Sequence, residues 1–102
     1  MAVYMIFTQD EVTDPAGLAA YGQKAGPTLG PYKPIPRVVT ENVTSVEGDW
    51  KPGRVVMLEF ASREDALGWY NSPEYAEVRK LRFAASTNNV GILVDAFAMP
   101  GQ

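Results

Sequence analysis

The chain has 102 residues, 46% of them hydrophobic and 21% charged, with a formal net charge of −3. It contains no cysteine and no histidine, which excludes disulfides, thiolate nucleophiles, iron–sulfur ligation, imidazole metal ligands, Ser-His-Asp triads and a proximal haem histidine. The acidic balance offers no basic stripe to displace counterions from phosphates, so no nucleic acid partner is expected.

A single domain spanning residues 1–102 is expected at this length. The apolar start, Met1 to Phe7, is far too short to cross a bilayer and lacks a basic leader. No membrane association or targeting signal is expected, and the expected location is cytoplasmic. The first strand is predicted over Ala2–Thr8. Asp14-Pro15 then supplies an N-cap and a preset first helical residue. Leu18, Tyr21 and Ala25 form one helical stripe, and Gly26-Pro27 is predicted to end it. Gly17 and Gly22 each weaken this helix by up to ~1 kcal/mol relative to alanine, so tertiary packing must hold it.

Pro27, Pro31, Pro34 and Pro36 predict a stiff loop over 27–36. β-Branched residues predict a second strand over Arg37–Val46, bent near Glu41-Asn42. The turn-rich stretch Glu47–Gly53 connects it to a third strand, Arg54–Phe60. Ser62 caps a helix whose inward face is Ala66, Trp69 and Tyr70; Ser72-Pro73 restarts it, and it runs to Ala85. Polar Ser86–Asn89 leads to a last strand, Val90–Phe97, and Met99–Gln102 is a short tail.

The order is therefore β-α-β-β-α-β, an α+β chain of ferredoxin-like type with a four-stranded antiparallel sheet and both helices on one face. A sheet wet on one face alternates apolar with polar residues. Here the first strand offers Val3, Met5 and Phe7 on one side and Tyr4 and Ile6 on the other. The third strand offers Val56, Leu58 and Phe60 against Val55 and Met57. Two helices cover only one face, so the pattern predicts a homodimer through the helix-free sheet face.

The run Glu47-Gly48, a strand ending in Glu59-Phe60, Trp69-Tyr70-Asn71-Ser72-Pro73-Glu74-Tyr75, and Arg82 seven residues later resembles domain-of-unknown-function family thirteen-thirty, in the dimeric α/β-barrel superfamily. The resemblance covers roughly residues 46 to 97. Where that family carries a Gly-Gly pair entering the second strand, this chain has Gly30-Pro31-Tyr32-Lys33-Pro34-Ile35-Pro36. The resemblance implies the fold and a dimer that closes an α/β barrel. It does not choose a reaction, because the wider superfamily includes cofactor-free monooxygenases, isomerases, polyketide cyclases and non-catalytic binders.

Tyr75 and Arg82 lie two helical turns apart and share a face, with Arg79 nearby. One reading places a pocket between sheet and helices, in which Trp69, Tyr70 and Tyr75 contact a substrate. Arg82 then binds a carboxylate or enolate and Glu59 moves a proton. The other reading has Arg82 pair with Glu59 or Glu47, tying helix to sheet, with the aromatics as core. Asp95 either lines a dimer cavity or sits at a wet edge. Trp50 is either a lid or a dimer contact. Ser72 is explained as a cap, and Glu47-Gly48 as a turn entry. Asp10, Glu11 and Asp14 suit solvation and capping rather than a metal site, and neither a metal nor a cofactor is expected. No phosphate-cradling glycine motif is present. Two function classes stay open: a small cofactor-independent enzyme acting by proton transfer or oxygenation on an organic acid or an aromatic or polyketide-like metabolite, and a non-catalytic dimeric binding or accessory protein.

Overall fold

The computed structural model describes residues 2–98. Its elements in chain order are β1 (Val3–Gln9), β2 (Glu11–Val12), α1 (Pro15–Thr28), β3 (Ile35–Thr40), β4 (Arg54–Phe60), α2 (Arg63–Tyr70), α3 (Pro73–Ala85), β5 (Ser86–Thr87) and β6 (Val90–Asp95). The sheet runs β3-β4-β1-β6 and every neighbouring pair is antiparallel. This is the expected ferredoxin-like α+β architecture. The tail from Met99 to Gln102 lies outside the described residues. Among the described residues no helix is long and apolar enough to cross a membrane.

The helix starts follow local chemistry. Side-chain oxygens of Asp14, Ser62 and Ser72 accept from the backbone N–H of Gly17, Asp65 and Tyr75 at 3.0, 3.1 and 3.2 Å. Each satisfies a donor that the first turn leaves without an intrahelical partner, worth about 1 kcal/mol. Register then sorts the strand residues. Val3, Met5 and Phe7 of β1 lie opposite Phe60, Leu58 and Val56 of β4 and face the helices. There they form one core with Ala25, Ala66, Trp69 and Tyr75.

Four segments depart from the sequence reading. The first helix does not stop at Gly26-Pro27 but continues to Thr28. Proline in a last turn forfeits one N–H, while the Leu29 N–H still closes the turn on the Gly26 carbonyl at 3.1 Å. The proline-rich loop is correspondingly shorter, and β3 begins at Ile35 with Pro36 inside it. An edge strand tolerates a residue that cannot donate, and the β3–β4 register shifts between Pro36 and Val38.

The second departure is that β3 ends at Thr40 rather than Val46. Thr40 already lies opposite Val55, one residue from the start of β4, so the β-branched residues Val43, Thr44 and Val46 run past the end of the strand that β3 pairs with. They cross the helix-free face instead, roofing a cavity of about 380 Å³ over Ile6, Thr8 and Val55. The loop is tied down where the Gly53 N–H donates to the carbonyls of Gln9 and Asp10 at 2.9 and 3.0 Å. A Cβ at Gly53 would lie 2.6 Å from the Asp10 carbonyl oxygen, so only glycine permits this closeness.

The third departure is an extra two-stranded ribbon, with Glu11 opposite Thr87 and Val12 opposite Ser86. Thr13 and Asp14 N–H groups both donate to the Ala85 carbonyl, at 2.9 and 3.1 Å. The start of α1 is thereby fixed to the end of α3. The last strand also closes two residues early, at Asp95 rather than Phe97.

Candidate functional site

Beneath α1 and α3 lies an aromatic wall built on Trp69, which is 1% exposed. Its ring centroid is 4.0 Å from that of Tyr75 and 5.7 Å from that of Phe60. The indole N–H donates to the Thr28 hydroxyl at 2.9 Å, and that hydroxyl donates to the Ala25 carbonyl at 2.6 Å. The continuation of α1 through Pro27 thus satisfies the one polar atom of a buried tryptophan. Tyr75 is fully buried, and its hydroxyl shares a hydrogen bond of 2.8 Å with that of Tyr21. Burial foremost, then the neighbouring Tyr21, pushes the Tyr75 phenol well above its ordinary value. It stays a neutral hydroxyl at any physiological pH.

Between α1 and the sheet an open cleft of about 190 Å³ is lined by Tyr21, Leu29, Val39, Arg54, Trp69 and Arg82, among others. Arg82 comes from the last turn of α3 and is 2% exposed. Its guanidinium carbon stands 4.6 Å from the centre of the Phe7 ring and 4.9 Å from that of Phe83. One terminal nitrogen donates to Asn89 Oδ1 at 3.3 Å, and Asn89 is held in turn by Ser86. The Arg82 Nε–H is buried and has no partner.

Arg54 is contributed by the first residue of β4, on the same side as Val56 and Leu58. It donates to Gln9 Oε1 at 3.3 Å, while the Nε2 of the fully buried Gln9 has no partner. None of the three ion pairs among the described residues involves Arg54 or Arg82, and no carboxylate lines the cleft. A protein of net negative charge has therefore placed two cations around one hollow, one of them backed by the buried amide of Gln9. Buried charges are ordinarily paired. Here the rings and Asn89 take part of that role for Arg82, and its Nε is left over.

Of the residues expected to form the site, the structure brings Trp69 and Arg82 to the cleft. Tyr75 stacks behind Trp69, and its hydroxyl adjoins two residues of the cleft wall, Tyr21 and Arg82. Tyr70 lines a second, apolar cleft of about 200 Å³ with Met5, Phe7, Leu67, Ile92 and Leu93, and Arg79 lies 4.6 Å over its ring. Glu59 is not in either. β alternation puts it with Val55 and Met57 on the helix-free face, where it accepts from Arg37 Nε at 3.1 Å. The single pocket combining Glu59 with Arg82 is corrected by this parity. The alternative pairing of Arg82 with Glu59 or Glu47 is corrected too, since Asn89 holds that position.

Arg54, Gln9 and Tyr21 were missed as site residues. The signal existed, because Gln9 continues the Val3-Met5-Phe7 parity and Arg54 that of Val56-Leu58-Phe60. Asp95 sits at the sheet edge and accepts from Arg63 at 2.9 Å. Asp10 accepts from Trp50 Nε1 at 3.3 Å and Asn88 Nδ2 at 2.8 Å, and so pins the 41–53 loop to the sheet. Among the described residues no group of three or more His, Cys, Asp or Glu could hold a metal ion.

Fold and cleft together define an α+β protein of ferredoxin-like architecture with a largely apolar, arginine-bearing cleft on the helix side of its sheet. The chain belongs to the family described as a domain of unknown function (DUF1330), whose profile matches residues 2–97. It is similar to a protein of unknown function from Rhodopseudomonas palustris, at 19% identity and a TM-score of 0.78, over 96% of this chain and 84% of that one. A dimeric ferredoxin-like protein of unknown function from Thermobifida fusca matches at 9% identity and 0.65, over 94% and 92%. SnoaB, a cofactor-independent oxygenase from Streptomyces nogalater, matches at 13% identity and 0.61, over 99% and 96%. Likeness at these identities is one of fold. No curated protein matches the chain.

Proposed function

We propose that this chain forms a homodimer through its helix-free sheet face and binds a small organic acid with an aromatic or similarly flat body in the cleft beneath α1. The observation that carries the ligand reading is Arg82, a nearly fully buried cation with a free Nε–H and no carboxylate beside it. A carboxylate or enolate docked there supplies the missing acceptor, in the charge-assisted geometry that guanidinium favours. The apolar body of such a ligand fits against Trp69 and Leu29. A cavity of roughly 150 Å³ admits benzene, so about 190 Å³ suits a single ring better than a fused polyketide.

The dimer reading rests on the helix-free face, where Ile92 is 50% exposed beside half-buried Tyr4, Ile6, Met57 and Val94. The fold neighbour from Thermobifida fusca, itself described as dimeric, supports it. A catalytic version adds proton transfer or oxygenation and draws on the likeness to a cofactor-independent oxygenase. The cleft lends it little, since no carboxylate lines it and the Tyr75 hydroxyl is held neutral. Binding without turnover is the reading the geometry favours.

Calorimetric titration of the wild type with benzoate tests this. Saturable binding is expected, weakened at least about 10-fold in Arg82→Met and partly kept in Arg82→Lys, as befits a lost charge-assisted hydrogen bond. Circular dichroism of both variants separates loss of the anchor from loss of the fold, and Tyr21→Phe at the cleft wall provides a milder second variant. Absence of binding by benzoate and by longer aromatic acids to the wild type sinks the ligand reading.

A further inference from the structure

The cleft has a second donor centre that the Arg82 anchor does not use. Arg54 and Gln9 sit opposite each other in the β1–β4 ladder, both from positions whose side chains face the helices. They are joined by the single bond from Arg54 Nη1 to Gln9 Oε1 at 3.3 Å. That bond consumes the acceptor of Gln9 and leaves its Nε2, in a side chain with no solvent exposure, without a partner. The rest of the guanidinium fork of Arg54 has no other hydrogen bond among the described residues. Buried or half-buried donors in such number are normally matched by acceptors. Every carboxylate engaged in an ion pair among the described residues is engaged elsewhere, as Glu59 with Arg37, Asp95 with Arg63 and Glu77 with Lys80.

We infer that the cleft recognises a compact dianion, a flat acid of about one ring with two anionic groups, one held by Arg82 and the other by Arg54, which Gln9 positions from behind. This rests on the organic-acid reading above and sharpens it to a substrate class. Two guanidinium groups lining one hollow repel each other when it is empty, and a monoanion leaves one of them uncompensated. A ligand carrying two negative groups compensates both and gives the orphaned donors their acceptors. Arg54, held by Gln9, then determines specificity for the second group, while Arg82 anchors the first.

The test compares affinities within one protein. Benzoate and the three benzenedicarboxylates (ortho, meta and para) are titrated into the wild type, into the uncharged variants Arg54→Met and Arg54→Gln, and into Arg54→Lys. At least one dicarboxylate is expected to bind about 10-fold more tightly than benzoate to the wild type, the gain typical of an added charge-assisted contact. In both uncharged variants the ratio is expected to fall to near one, and in Arg54→Lys to an intermediate value. Using a ratio cancels any general loosening of the cleft, so a merely structural role for Arg54 would not move it. If no dicarboxylate outbinds benzoate, or if the preference survives in Arg54→Met, the dianion inference falls and the organic-acid reading stands. If no acid binds the wild type at all, both fall together.

Discussion

The two faces of the sheet are made from alternate residues of the same strands, yet they differ in what they do with charge. On the helix side, Val3, Met5, Phe7, Leu58 and Phe60 are nearly or wholly buried, and the charged residues are arginines without carboxylates. On the helix-free side, Ile6, Met57 and Val94 are half-buried. There the carboxylate Glu59 meets the partly exposed Arg37, their side chains being 19% and 47% exposed. A surface pair of this kind contributes little to stability, whereas an enclosed cation constrains what can fill the space around it. The comparison teaches that acid residues here neutralise the outside, and the cleft is left to be neutralised by something else.

The largest expected effect comes from forcing charge onto the helix-free face. Ile92→Glu is expected to shift wild-type dimers to monomers in sedimentation velocity, because like charges brought together across an interface cost several kcal/mol. Since Ile92 is half exposed in the single chain, the protomer's fold should persist by circular dichroism. A wild type that sediments as a monomer, or a variant that still dimerises equally well, removes the interface from that face.

On the helix side, Tyr75 gives a smaller, pH-dependent effect. Its phenol titrates at about 10.0 when unfolded and higher when folded. Below that value both states are protonated and the contribution is fully present. Above it the unfolded chain releases a proton that the folded chain keeps, so stability falls as pH rises, by up to about 1.4 kcal/mol per pH unit. Urea unfolding between pH 9 and 11 should show that decline in the wild type and a shallower one in Tyr75→Phe. Equal slopes would mean that the buried phenol titrates as it does in solvent.

The smallest effect belongs to Glu59. Glu59→Gln breaks only a pair with a partly exposed partner and is expected to cost under about 1 kcal/mol in denaturant unfolding. Acid binding in the α1 cleft should be unaltered. A variant that loses ligand binding would return Glu59 to the site and blur the division between the two faces.

Much of this division was legible in the chain. Period-2 alternation separated Val3, Met5 and Phe7 from Tyr4 and Ile6, and the caps at Asp14, Ser62 and Ser72 located three helix starts. The same alternation, carried two residues outward, groups Gln9 with Val3, Met5 and Phe7, and Arg54 with Val56, Leu58 and Phe60. Alternation groups Glu59 with Val55 and Met57 but does not say which side meets the helices, and the structure turns Glu59 away from the cleft. Val43 to Val46 misled for a different reason. β-Branched residues favour extended backbone, but a strand lasts only as long as its partner, and β4 begins just one residue beyond the position opposite Thr40.

The sequence by itself determined the element order, the caps, the two-faced greasiness of the sheet and the chemistries ruled out by lacking cysteine and histidine. These depend on residue type and on spacing within a dozen residues, where backbone geometry leaves few choices. Only the tertiary structure decided that Arg82 rests on Phe7, that Tyr21 meets Tyr75, that Gln9 holds Arg54, and that Arg54 and Arg82 line one hollow without acids. Those contacts join residues distant in the chain, and the packing of α1 and α3 over β1 and β4 creates them.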